Sequence, residues 1–158
     1  MSPDGSTLLF GALPVELRFS TEEKQILKRF VRALTRRVAG RRAFTCLITN
    51  DRELQRLNRQ FLCHDYPTDV LSFPSADEND GLGEIAISVE RAGAQARECG
   101  HDRVYEICIL MLHGVLHLTG MDHARDHGEM GRAEEEWRAE FGLPLALIGR
   151  SVAGGQRS

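Results

Sequence analysis

His113, His117 and His123 stand at spacings i, i+4 and i+10 in the segment His113-Gly-Val-Leu-His117-Leu-Thr-Gly120-Met-Asp-His123. Two imidazoles four residues apart on a helix project from the same face, one turn above each other. Gly120 can adopt a positive φ, which lets the chain reverse after the helix and return a third imidazole. Three neutral nitrogen donors about 2.0–2.1 Å from one zinc leave a fourth tetrahedral position for water, the pattern of catalytic sites; structural sites are closed by four protein ligands. A lone buried histidine is more often a hydrogen-bonded core residue. Three of the six histidines falling at this spacing around a helix-stopping glycine point instead to one Zn2+ per chain at the centre of a hydrolytic site.

The same spacing occurs in metzincin proteases, whose pattern is H-E-x-x-H-x-x-G-x-x-H. Here the second position is Gly114. A peptidase of that class needs the glutamate carboxylate beside the metal water to accept a proton and return it to the leaving amine. Glycine cannot do this, so the metal scaffold is kept and the protease base is missing.

The elements that must position the histidines are legible from periodicity and caps. Asp102 caps a helix that reaches about Leu118 and stops at Gly120. Upstream, Ser20 and Glu23 form a capping box for a helix ending near Ala39, before Gly40. Its apolar stripe is Ile26, Leu27, Phe30, Val31, Leu34 and Val38. Val15 to Phe19 alternates as an edge strand, and Ala43–Thr49, Val70–Phe73 and Gly83–Ser88 read as further strands. Asn50 starts a short helix with Leu54, Leu57 and Phe61 inward. Another helix follows Ser88 and ends near Gly100, and a last one opens at Asp126 with Met130, Ala133, Trp137 and Phe141 on one side. Helices and short strands mix without a strict βαβ rhythm, which predicts an α+β fold: a small mixed sheet of about four strands flanked by helices, with the three-His site at the end of a core helix.

At 158 residues the chain is expected to hold one core: residues 15–150 as a single metal-dependent hydrolase domain, 1–14 a flexible N-terminal arm, 151–158 a disordered tail. No signal peptide or membrane span is read, so a cytoplasmic location and no membrane partner are expected. Cys46, Cys63, Cys99 and Cys108 lack the spacing of a disulfide framework and read as small buried hydrophobes. Charge is unevenly placed. Residues 1–60 carry 12 Lys and Arg against 6 Asp and Glu, while residues 61–158 carry 8 against 17. Lys24, Lys28, Arg32 and Arg36 follow one i,i+4 row, with Arg29 and Arg37 beside it. Such a row either guides a polyanion such as RNA by non-specific electrostatics or is merely a solvated helix face.

Three segments resemble the YbeY family of bacterial endoribonucleases and rRNA maturation factors. They are Leu57-Asn58 through Asp65-Tyr66-Pro67-Thr68-Asp69-Val70-Leu71-Ser72-Phe73-Pro74, then Leu82-Gly83-Glu84-Ile85-Ala86-Ile87-Ser88, then the histidine segment with Glu129 and Met130. The likeness spans roughly residues 15–145. It implies an α+β fold, zinc on His113, His117 and His123, and metal-dependent endonuclease activity on single-stranded RNA. It further implies a role in maturing small-subunit rRNA ends and in ribosome quality control, with the ribosome or small-subunit assembly factors as partners. The chain departs from the family at three positions. Phe61 is followed by Leu62 where most members carry an arginine expected to hold a phosphate or stabilise the transition state. Glu84 stands where Asp is common, and Met121 where Tyr is usual. Arg59, three residues before Leu62, is the candidate substitute for the catalytic arginine.

Asp65, Asp69 and Asp122 are candidates to orient the imidazoles by hydrogen bonds, and each reads equally well as a turn or cap carboxylate. His64 lies in a loop that could reach substrate; His101 and His127 read as surface turn and helix-start residues. Two other functions compete: a non-catalytic, zinc-containing ribosome assembly factor, favoured by Leu62, and a metzincin-like hydrolase, disfavoured by Gly114.

Overall fold

The computed structural model describes residues 5–62, 68–77, 79, 81–122 and 126–145. Four strands form one mixed sheet in the order β1-β2-β4-β3: β1 Thr7–Phe10, β2 Phe44–Thr49, β3 Val70–Pro74 and β4 Gly83–Ser88. β1, β2 and β4 run parallel, and β3 closes the far edge antiparallel to β4. Five helices surround the sheet: α1 Thr21–Arg37, α2 Asp51–Leu62, α3 Val89–Cys99, α4 Arg103–Leu118 and α5 Glu129–Phe141. The class is α+β, as the mixture of elements predicts.

The period-2 alternation of the strands divides the sheet into two faces. Phe44, Cys46, Ile48, Val70, Ile85 and Ile87 enter the main core with α1 and α4. Leu71 and Ala86 turn the other way and pack under Leu54 and Leu57 of α2. α1 begins at the predicted box: the Ser20 hydroxyl accepts from the Glu23 amide at 3.1 Å, and the Glu23 carboxylate accepts from the Ser20 amide at 2.9 Å. It buries Leu27, Phe30, Val31 and Leu34. Ile26 and Val38, expected on the same stripe, are only half-buried at its margins.

The N-terminal region differs from expectation in two ways. Val15–Leu17 is a single 3-10 turn, not an edge strand. The edge strand is β1, inside the segment expected to be a loose arm, and it pairs Thr7–Phe10 with Thr45–Ile48. Ser6 anchors it. Its hydroxyl is buried, 2.6 Å from the Thr35 hydroxyl of α1, and accepts from the Phe44 amide at 3.1 Å. The pairing joins residues nearly forty positions apart, a contact that local periodicity does not encode.

At the other end, Asp126 caps α5 from a distance, accepting from the Gly128 and Met130 amides at 2.9 Å, so the helix proper starts at Glu129. The tail 151–158 lies outside the described residues.

Candidate metal centre

α4 buries 13 of its 16 residues, from Val104 to Leu118. A helix apolar almost all round belongs in the middle of a core, and α4 packs on the sheet, α1, α3 and α5. Polar side chains carried into such a core must find partners, because burying an unpaired one costs several kcal/mol, roughly 2–7 for a neutral group.

His113 does so. It is 3% exposed, and its Nδ1 is hydrogen-bonded to Oε1 of Glu134, itself buried on α5. The other oxygen of Glu134 accepts from the Arg138 guanidinium at 3.4 Å, so the buried carboxylate has a cation one turn further along α5. A carboxylate against Nδ1 favours the tautomer protonated at that nitrogen. A carboxylate behind an imidazole is the usual way to fix the tautomer and raise the basicity of a metal-ligating histidine. Sequence reasoning missed Glu134 and Arg138. A signal was available: Met130, Glu134 and Arg138 form an i,i+4 row on the buried side of α5, where a charged pair needs a reason.

His117 lies one turn beyond His113, about 6 Å along the axis, and is half-buried. α4 ends immediately after it. The Gly120 amide bonds back to the His117 carbonyl at 3.0 Å, and Gly120 has φ +108°, the left-handed conformation expected of it. The chain therefore reverses where the spacing required. His123, the third predicted ligand, lies outside the described residues, as do His64, Asp65 and the side chain of Leu62. Among the described residues alone, no group of three or more His, Cys, Asp or Glu is placed to hold a metal.

Gly114 has a packing role. A Cβ there would meet Ile85 of β4 at 3.0 Å, and its carbonyl accepts from the Ser72 hydroxyl of β3 at 3.3 Å. The position points into the sheet. A glutamate at 114 would have to displace Ile85, so this position does not accommodate the protease base.

The other described residues lie on several elements. Asp69 is buried and accepts from Gln95 of α3 at 3.0 Å, while its backbone carbonyl accepts from the Ser88 amide. Asp122 is half-buried just past the turn at Gly120. Arg59 is exposed near the end of α2. In the basic row, Lys24, Lys28 and Arg36 are exposed and Arg32 is half-buried, an open cationic face along α1. Arg37 beside it has a structural task, bonded to Glu140 at 3.1 Å and lying over the rings of Trp137 and Phe141. His101 corrects its surface reading: its Nε2 lies 2.8 Å from the fully buried Glu106 carboxylate. His127 is exposed before α5, as expected. Among the described residues, no helix is long and apolar enough to cross a membrane.

The chain is similar to known proteins over most of its length. The family model described as Endoribonuclease YbeY matches residues 15–142. The Endoribonuclease YbeY of Solibacter usitatus is 53% identical over 149 residues, covering 94% of this chain and 97% of the relative. That of Koribacter versatilis is 48% identical over 118 residues, covering 74% and 77%. The solution structure of TM1509 from Thermotoga maritima superimposes with a TM-score of 0.51 at 27% identity, covering 86% of this chain and 91% of that one.

Proposed function

The chain belongs to the YbeY endoribonuclease family, and from that premise we propose that it is a zinc-dependent, single-strand-specific endoribonuclease that matures small-subunit rRNA ends and serves ribosome quality control. One Zn2+ per chain is held by His113, His117 and His123. The work is done in the cytoplasm, on the ribosome or with small-subunit assembly factors.

The observation that carries the metal reading is the Glu134 carboxylate behind His113. A buried histidine needs a polar partner in any case, as the His101–Glu106 pair shows, so it is the carboxylate on Nδ1 together with the i, i+4, i+10 spacing that favours a ligand role. The chemistry of the donors fits: His113 held through Nδ1 by Glu134, His117 one turn on, and a positive-φ glycine ahead of His123 in the sequence. What bound zinc supplies at such a site is Lewis acidity, which lowers the pKa of water toward about 7 and polarises a phosphoryl oxygen.

The chain's own residues supply the remainder. The exposed cations of α1 attract the phosphate backbone without reading bases, which makes binding steeply salt-dependent. Arg59 is the cation nearest in sequence to the family's arginine position, now Leu62, and is assigned to hold a phosphate oxygen.

Metal-loaded protein is incubated with single-stranded RNA, with casein and without substrate, alongside His113→Ala. RNA cleavage that disappears in the variant, together with about one zinc per chain by elemental analysis of the wild type, is the expected result. A zinc-bound protein that leaves RNA intact would instead favour the assembly-factor reading that Leu62 suggests.

A further inference from the structure

A cavity of about 800 Å³ opens beyond the C-terminal ends of β1 and β2. In sheets with parallel strands, this crevice is a common place for a ligand. Its walls are Phe10 and Phe19, and its rim carries Arg18, Lys24 and Arg52, all exposed and drawn from three separate parts of the chain. One carboxylate, Glu90, also lines it, but that oxygen is already engaged by the Asp51 amide at 2.7 Å. Three cations therefore face one hydrogen-bonded anion, and the field in the cavity is positive.

The cavity lies at the opposite end of α4 from the histidines. Arg103, the first residue of α4, donates to the carbonyls of Leu17 at 2.7 Å and Arg18 at 2.9 Å, and its guanidinium lies 4.1 Å from the centre of the Phe19 ring. His117 is fourteen residues further along the same helix, about 21 Å away. Lys24 belongs both to the cavity and to the basic row on α1.

We propose that this cavity is a second RNA-binding site that seats one nucleotide of the substrate strand away from the point of cleavage. The phosphate is held by Arg18, Lys24 and Arg52, and the base or ribose lies beside Phe10, whose ring already carries the Lys24 ammonium 5.4 Å from its centre. The volume lies within the range of about 300–1,000 Å³ usual for pockets that take small organic ligands. Backbone cations with an aromatic wall are the combination that binds single strands without sequence preference. The proposal rests on the ribonuclease reading above and adds a length requirement to it. At about 3.4 Å per stacked nucleotide, a strand needs roughly six nucleotides to span cavity and metal centre, and a trinucleotide reaches only about 10 Å.

The test is steady-state cleavage of a 12-nucleotide single strand and of a trinucleotide by the wild-type chain and by the Arg18→Glu/Arg52→Glu variant, with thermal melting to check folding. The expected result is a KM raised about tenfold or more for the 12-mer, with kcat and the trinucleotide parameters unchanged. Equal KM values for both proteins on the 12-mer would overturn the proposal. So would equal losses on both substrates, which would mark the arginines as structural. If the wild type cuts neither RNA, the ribonuclease reading fails by itself, and anisotropy of a labelled 12-mer decides on the cavity: binding weakened in the variant supports it, and unchanged binding overturns it.

Discussion

α1 and α4 start side by side, joined by the contact of Arg103 with Glu23 at 3.6 Å, yet they are built on opposite principles. α1 buries 5 of its 17 residues and keeps its charged row in water. α4 buries 13 of 16 and carries Glu106 and His113 into the core, each with a partner: His101 for one and Glu134 for the other. Solvated charges act as a sum, and each can be exchanged at little cost to folding. Buried polar groups act as pairs, and removing one partner leaves the other exposed to the full penalty of desolvation. Chemistry that needs fixed geometry belongs on α4; attraction that needs only charge belongs on α1.

The sharpest break of this contrast is Glu134→Ala, which removes the carboxylate shared by His113 and Arg138. It should cost about 3–5 kcal/mol in urea denaturation, as expected when one member of a buried ionic network is lost. Its milder companion Glu134→Gln should keep the fold but retain zinc about 10- to 100-fold less tightly against a competing chelator. An unchanged zinc affinity would detach the carboxylate from the metal centre. Next in size is Gly114→Glu, which restores the protease glutamate. It should cost about 3 kcal/mol or more, because the side chain meets Ile85 and buries a charge, and no casein cleavage should appear.

On α1 the paired reversal Lys28→Glu/Arg32→Glu should change stability by no more than about 0.5 kcal/mol per site. It should also lower the slope of log affinity for single-stranded RNA against log salt by about 1.4, roughly 0.7 for each lost phosphate contact. An unaltered slope would remove this face from the RNA path.

The smallest effect concerns thiols. Burial pushes the Cys46 thiol far up, and the Cys108 thiol to about 12. Both should resist a thiol-labelling reagent in the folded protein at neutral pH, while the half-buried Cys99 reacts. Folded pKa values above the ordinary 9.0 mean that the folded chain holds protons the unfolded chain releases. This contribution to stability is whole below about pH 9 and declines as pH rises toward 12. A pH–stability profile with no alkaline decline would contradict it.

Much of the architecture was legible because it is local. The Ser20–Glu23 box, the stop at Gly120 and the strand run Gly83–Ser88 each depend on residues within one or two turns of each other, so sequence spacing carries them directly. The spacing of His113 and His117 belongs to the same class, since helix geometry alone puts both on one face. β1 was hidden for the opposite reason. Thr7–Phe10 is too short to declare itself, and its pairing with β2 comes from the far side of α1. Val15–Phe19 alternates convincingly, but it has no strand to pair with and settles as a turn.

Local spacing was enough for the start of α1, the turn that follows His117, three of the four strands and the family to which the chain belongs. Only the tertiary structure decided that Glu134 and Arg138 stand behind His113, that Gly114 is reserved for Ile85, and that Arg18, Lys24 and Arg52 meet around one cavity. The first set follows from φ, ψ and side-chain period, which act over a few residues. The second depends on which elements pack together, and that is set by burial of apolar area, a force without direction or memory of sequence distance.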